Sequence, residues 1–328
     1  MWKMIGLWAF AAIAALLLAG FLFERFCEWR DARRFPPPGK MVEVNGHKLH
    51  ILCEGSAPGP TIVIEQGAAS PSILWWPITR ELAKSARVCT YDRSGYLWSP
   101  WLGRPRSILE RVDDLHALLH AAQIPGPYVF APLSYGGLIV SQYVRRYPDE
   151  VAGIAYIDAP DEPAVFTKDY LKSVGGIKSV FGTFGMAARF GILRLKNLMF
   201  SEPIAGLSKA DMAALKALTA RPSLYAAIAD DFGSIPRAQE EVRTPLAPGS
   251  LGNKPVIALT HGIPFPQGYA ALEKGWREGQ ERIVKLSSNS RLIVAEKSNH
   301  MIPIEEPAAV IDAITRVYRA ARDRAPLE

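Results

Sequence analysis

Polarity changes period several times along the chain. Residues 4 to 23, MIGLWAFAAIAALLLAGFLF, carry no charge and are flanked by Lys3 and by Glu24-Arg25. Twenty residues at a rise of 1.5 Å cover about 30 Å, the hydrocarbon thickness of a bilayer, and the run lacks the polar face of a soluble surface helix. Its one A-x-A-like stretch, Ala12-Ile13-Ala14, lies inside the run with ALLLAGFLF still to follow, so an uncleaved anchor is expected over a cleaved signal. Residues 34 to 40, RFPPPGK, then read as a stiff spacer.

From residue 41 the period falls to two. MVEVNGHKLHILCEG is a pair of alternating runs joined by Asn45-Gly46, the strongest short hairpin signal. Beyond it, six short apolar runs predict buried strands: TIVIE at 61–65, RVCTY at 87–91, YVFAP at 128–132, GIAYID at 153–158, PVIALT at 255–260 and RLIVAE at 291–296. Amphipathic stretches predict helices at 71–84, 106–122, 135–147, 269–286 and 306–322. This alternation points to an α/β fold with a mostly parallel sheet. One interval, between GIAYID and PVIALT, shows helical stretches without a convincing strand and reads as a helical cap. The expected organisation is an anchor (1–24), a juxtamembrane spacer (25–40), a core (41–158 and 251–328) and a cap (159–250).

The chemistry follows from that order. Ser134 comes directly after one expected strand and before one expected helix, with Gly136 and Gly137 behind it, the setting of a nucleophile elbow. Pro132 and Leu133 depart from the G-x-S-x-G pattern, so a purely structural turn serine is the alternative. A base is needed, and among His47, His50, His116, His120, His261 and His300 only His300, in AEKSNHMIPIEEP after the last strand, is placed to reach the elbow. His261 follows PVIALT and is a pocket candidate; the other four read as ordinary surface or core histidines. The stretch from Val256 to His300 holds no aspartate, so the orienting acid is sought after the preceding strand, at Asp158, with Asp161 and Glu162 as alternatives. The oxyanion hole is expected from the backbones of Tyr135 and Ala68, next to Gly67 in EQGAAS. This chemistry requires no metal or organic cofactor.

NGHKLHILCEG, YDRSGY, LSYGG, YIDAP and SNHMIPIEEP together resemble the α/β-hydrolase superfamily, and more narrowly its membrane-anchored bacterial members with a PPG spacer. The resemblance implies an eight-stranded sheet whose second strand is antiparallel, helices on both faces, and a Ser, Asp, His order along the chain. In part of that superfamily the acid follows the sixth strand, the position matched by Asp158. Dehalogenases and epoxide hydrolases use an aspartate nucleophile, which Ser134 argues against. Gln66 departs from the histidine common before the oxyanion glycine. In such a sheet Cys53 and Cys89 lie on neighbouring antiparallel strands, where either a disulfide or two buried thiols would fit. Asp92 in YDRSG is expected to be a structural turn residue, too far from His300 to orient it.

With 328 residues, 49% hydrophobic and 21% charged, there is room for one large domain and an insertion. The formal charge of +6 is scattered and no nucleic-acid motif accompanies it, which excludes nucleic acid as a partner. Arg25, Arg30, Arg33 and Arg34 after the anchor favour a cytoplasmic domain, whereas a disulfide would favour the opposite side, so the side stays open. Cap residues Arg189, Arg194 and Lys196 suit either a lid meeting lipid headgroups or, as expected here, ordinary packing. The sequence therefore reads as a single-pass protein of a bacterial inner membrane, a serine hydrolase taking a hydrophobic ester or related acyl compound. A binding or scaffold protein of the same fold is the rival.

Overall fold

The computed structural model describes residues 2–195, 199–242, 244–266 and 270–328. Eight strands form one sheet: β1 (Lys40–Val44), β2 (His47–Glu54), β3 (Thr61–Glu65), β4 (Val88–Asp92), β5 (Tyr128–Pro132), β6 (Val151–Ile157), β7 (Val256–His261) and β8 (Ser290–Ala295). Their spatial order is β1-β2-β4-β3-β5-β6-β7-β8. Strand β2 runs antiparallel to both neighbours and every other pairing is parallel. Asn45 and Gly46 close the first hairpin with φ of 48° and 81°, the positive values that a two-residue turn needs. Strands β3, β4, β5 and β7 are buried along their whole length, as continuous apolar runs require. The edge strand β8 departs from that pattern and leaves Leu292 and Val294 exposed.

The helices are α1 (Trp2–Arg34), α2 (Trp76–Leu82), α3 (Ile108–Ala121), α4 (Gly136–Arg146), α5 (Glu162–Val165), α6 (Lys168–Arg189), α7 (Ile192–Leu195), α8 (Lys209–Thr219), α9 (Pro222–Glu241), α10 (Ala270–Ile283), α11 (Ile302–Glu305) and α12 (Pro307–Asp323). Their ends follow local chemistry. Ser107 accepts the Glu110 N–H while Glu110 accepts the Ser107 N–H, a reciprocal cap that starts α3, and Ser208 with Asp211 does the same for α8. On one face of the sheet Leu115, Leu118, Ile139 and Tyr143 of α3 and α4 cover Val63 and Phe130. On the other, Ile78, Ile314 and Val317 of α2 and α12 cover Ile62, Ile64 and Val129. The interval between β6 and β7 is helical, containing α5 to α9.

Helix α1 continues beyond the uncharged run to Arg34, so the chain expected to be a spacer from residue 25 is helical over most of its length. Glu24, Cys27 and Asp31 in that extension are buried. Arg194 of α7 binds Glu24 at 2.5 and 2.8 Å and Asp31 at 2.6 Å, which docks the end of α1 on the α7 region. The headgroup role considered for Arg194 is therefore replaced by an internal ion pair, and Lys196 lies outside the described residues.

Cys53 and Cys89 stand opposite one another in the β2/β4 pairing and form a disulfide. Closing a loop of 36 residues restricts the unfolded chain, a constraint worth about 2–4 kcal/mol. The full chain prepared with free thiols blocked is expected to yield the linked 53–89 peptide pair in a non-reducing digest, and the double Cys→Ala variant is expected to unfold at lower denaturant. Recovery of both cysteines as blocked thiols would contradict the pairing.

Candidate active site

The elbow is gripped on both sides before it turns. Leu133 N–H donates to Glu65 O of β3 at 2.9 Å, and Ser134 N–H donates to Ile157 O of β6 at 3.3 Å. Pro132, without an N–H, ends β5 and leaves these two bonds intact. Ser134 then adopts φ 48°, a left-handed conformation that costs a side chain of order 1 kcal/mol or more and persists only where surroundings impose it. Helix α4 begins two residues later. A Cβ on Gly136 would stand 2.4 Å from Glu65 O, so only glycine lets α4 approach β3 this closely.

His300, on the loop after β8, places Nε2 2.9 Å from Ser134 Oγ and Nδ1 2.6 Å from Asp158 Oδ2. Asp158 follows β6 at φ 41° and is fully buried. Its Oδ1 accepts from Thr260 Oγ1 at 3.2 Å, His261 N–H at 3.2 Å and Trp276 Nε1 at 3.1 Å. Its Oδ2 is shared by His300 and by His261 Nδ1 at 2.7 Å. Burial pushes the Asp158 carboxyl up, but the hydrogen bonds and charges of His261 and His300 outweigh it and hold the group well below the usual carboxylate range. The other acids considered for this role are elsewhere. Asp161 caps α5 and pairs with Arg282, and Glu162 lies beside Gln142 and Arg145.

His261 contributes more than a pocket wall. It is fully buried at the end of β7, and its Nε2 lies 3.0 Å from Glu273 Oε2 while its Nδ1 faces Asp158. Ionised carboxylates only accept hydrogen bonds, so an imidazole between two of them must carry both protons. Glu273 is itself held ionised: burial pushes it up, and the Phe265 N–H, Arg277 and His261 pull it down further. Burial pushes His261 down, and its two carboxylates raise it above the ordinary histidine value. The result is a chain from Ser134 through His300, Asp158, His261 and Glu273 to Arg277, whose guanidinium is 2.6 Å from Glu273.

The expected oxyanion donors are arranged consistently. Among the described residues no protein acceptor faces the Ala68 or Tyr135 N–H, whereas the next N–H, of Ala69, is taken by Tyr96 Oη at 3.1 Å. Gly67 packs on Leu133: a Cβ there would lie 3.3 Å from the leucine side chain. Buried Arg93 holds the same loop, donating to Gln66 O at 2.6 Å and Gly67 O at 2.9 Å while pairing with Glu65 and with Asp231 of α9. Tyr135 is held from behind by Arg111 at 2.8 Å and Ser234 at 2.7 Å. Gln66, at the position of the common histidine, donates to Tyr91 O at 2.6 Å.

The remaining histidines stand apart. His50 Nε2 accepts the Gly39 N–H, which leaves its Nδ1–H for Asp92 at 2.8 Å, so Asp92 ties the end of β4 to β2 and is not the partner of His300. His47 lies against Asp114. His116 and His120 both face Glu150 Oε1, at 3.2 and 3.0 Å, and are the described residues with the spacing to hold a metal ion. Sequence pattern gave Arg93 no role and set Glu273 aside because it falls on a helix and not just after PVIALT. A histidine at the end of β7, where the acid commonly stands, was the available signal for the second.

The raised His261 fixes a sign. Its stabilisation is complete below the unfolded histidine range and is lost as pH rises through the folded value. His261→Gln is expected to lower unfolding free energy by about 2–4 kcal/mol near pH ~6 and by less near pH ~9, read from denaturant midpoints of the full chain. An equal loss at both pH values would contradict a buried imidazolium.

Comparison with known proteins agrees with this architecture. The family model of the alpha/beta hydrolase fold matches residues 60–265. The Bacillus subtilis protein YqjL is 26% identical over 293 residues, covering 88% of this chain and 95% of its own. A haloalkane dehalogenase of Sphingobium indicum is 26% identical over 186 residues, 54% of this chain and 61% of its own. Among solved structures, an esterase of Thermogutta terrifontis superposes with a TM-score of 0.62 at 19% identity, covering 86% of this chain and 97% of that one. The Cif epoxide hydrolase of Acinetobacter nosocomialis gives 0.64 at 17%, covering 85% and 88%. The family-model match over residues 60–265, most of a chain built on this eight-stranded sheet, makes this protein a member of the α/β-hydrolase family.

Proposed function

We propose that the protein is a membrane-anchored serine hydrolase that cleaves a hydrophobic ester or related acyl compound with Ser134, His300 and Asp158. The observation that carries this reading is the unbroken hydrogen-bonded path from a strained, half-buried serine hydroxyl through His300 to a buried carboxylate. In the first step Ser134 Oγ forms a bond to the acyl carbon as His300 Nε2 takes the hydroxyl proton. Asp158 stabilises the imidazolium through Nδ1, and the Ala68 and Tyr135 N–H groups face the oxyanion. Collapse expels the alcohol, protonated by His300, and leaves an acyl-serine. Water then repeats the cycle on the acyl carbon, releasing the carboxylic acid and restoring Ser134.

Relatives whose names record esterase, epoxide hydrolase and haloalkane dehalogenase activity support hydrolysis in general. A hydroxyl at the nucleophile position favours the acyl-transfer branch, because an acyl-serine is hydrolysed by the same machinery. Phe265 and Trp276, with ring centroids 5.9 and 5.4 Å from that of His300, and Tyr170 stacked 6.4 Å from Trp276, give the site apolar walls suited to a hydrophobic group. Helix α1, long and apolar enough to cross a bilayer, supports a single-pass inner-membrane location.

The full chain in detergent is expected to be labelled by a fluorophosphonate probe, and labelling is expected to vanish in Ser134→Ala and His300→Ala. Short-chain ester turnover should fall by ~10⁴-fold or more in Ser134→Ala and by ~10⁴-fold in Asp158→Asn. A folded wild-type chain that resists the probe, or Ser134→Ala with undiminished turnover, would overturn the assignment.

A further inference from the structure

Helix α1 meets the cap inside its own uncharged run. A Cβ on Gly20 would lie 2.6 Å from Phe190 O, and one on Gly191 would lie 2.7 Å from the Phe23 ring, so the corner between α6 and α7 abuts α1 at Gly20–Phe23. Gly20 lies three residues, about 4.5 Å, before the end of that run. The corner is therefore level with the boundary of the hydrocarbon that α1 would span.

Exposed apolar side chains run from that corner back along α6 and onward into α7. Val180 and Met186 of α6 are 50% and 55% exposed, Leu195 of α7 is 82% exposed, and Ile177 and Ile192 are exposed beside them. From Tyr170 to Ser201 the sequence contains no aspartate or glutamate, while Lys172, Lys178 and Arg189 are exposed along α6. Exposed apolar side chains interleaved with cations and without acids are the composition that binds an anionic bilayer surface. One face of α6 packs on α9, with Phe181 stacked on Tyr225 and Phe232, and these apolar and cationic side chains lie outside that contact.

We propose that the α6–α7 face of the cap lies on an anionic bilayer surface next to α1 and admits acyl substrates from the lipid phase. The inference rests on reading α1 as a membrane span and names the source of the substrate for the hydrolase proposed above. The occupant follows from continuity with α1 and from charge. The route follows from α6 itself: at its far end Tyr170 stacks on Trp276, which packs edge-on against His300. One helix thus joins the bilayer-level corner to the wall of the site.

The test uses the full chain in phosphatidylcholine/phosphatidylglycerol nanodiscs, with bimane on single cysteines introduced at Val180, Met186 and Leu195. Leu17 in α1 and Lys274 on α10 serve as references. Lipid-borne nitroxide is expected to quench the three cap labels and the Leu17 label, but not the Lys274 label. Cap labels reached only by aqueous iodide, with Leu17 still quenched from the lipid, would overturn the inference and leave the anchor standing. A Leu17 label that also escapes lipid quenching would overturn both. In a second arm, Lys172→Glu/Lys178→Glu/Arg189→Glu is expected to lower turnover of a long-chain ester dissolved in such vesicles roughly tenfold, with turnover of a short soluble ester unchanged. Equal turnover of the vesicle-borne ester by variant and wild type would contradict the cationic contact.

Discussion

One buried guanidinium joins the parts that the site needs. Arg93 follows β4 and donates to Glu65 at the end of β3, to the Gln66 and Gly67 carbonyls of the expected oxyanion loop, and to Asp231 of the cap. Arg111 reinforces it by binding Asp230, Asp231 and the Tyr135 hydroxyl. Tyr135 lies between the two cations, with its ring centroid 5.3 Å from Arg93 and 5.9 Å from Arg111. Two cations face three carboxylates, and burial pushes Glu65 up to about 6 despite Arg93 and Tyr91. Removing either cation would strand buried negative charge, a loss of several kcal/mol. The loop before Ala68, the residue after Ser134 and the cap helix α9 are thus set by the same electrostatic constraint.

The His261 imidazole, held between two carboxylates, has the corresponding part around Asp158. Asp158 is fully buried, and in the proposed mechanism it stays ionised beside His300, which requires charge and donors from the protein instead of from water. The backbone N–H of His261, Thr260, Trp276 and two imidazoles provide them. Glu273 and Arg277 complete the balance toward the surface. The unusual location of the acid, after β6, and the histidine after β7 are two sides of one arrangement: the side chain from β7 supports the carboxylate that it replaces.

The anchor and cap are coupled by a third set of charges. Glu24 and Asp31, one beyond the apolar run and the other two turns further along α1, close on Arg194, while Gly20 and Gly191 permit backbone contact. These contacts fix the α6–α7 corner against α1, and the proposed bilayer contact rests on that placement. The disulfide ties the antiparallel β2 to β4 beside the sheet edge that carries the hairpin.

Local pattern determined most of the fold. Period-two alternation around Asn45-Gly46, six apolar runs and the amphipathic stretches between them correspond to the strands and principal helices, because side-chain periodicity records which faces are buried. The apolar length of α1 and the order Ser134, Asp158, His300 were legible for the same reason: both are properties of sequence next to an element boundary. What tertiary structure alone decided are contacts made across long separations. Asp158 meets His261 over 103 residues, Arg93 meets Asp231 over 138, and Arg194 meets Glu24 over 170. No local period encodes such a meeting. Cys53 facing Cys89, His261 shared between two carboxylates, and an exposed cap helix all depend on where the sheet order brings distant segments together, which one chain's pattern of polarity leaves undetermined.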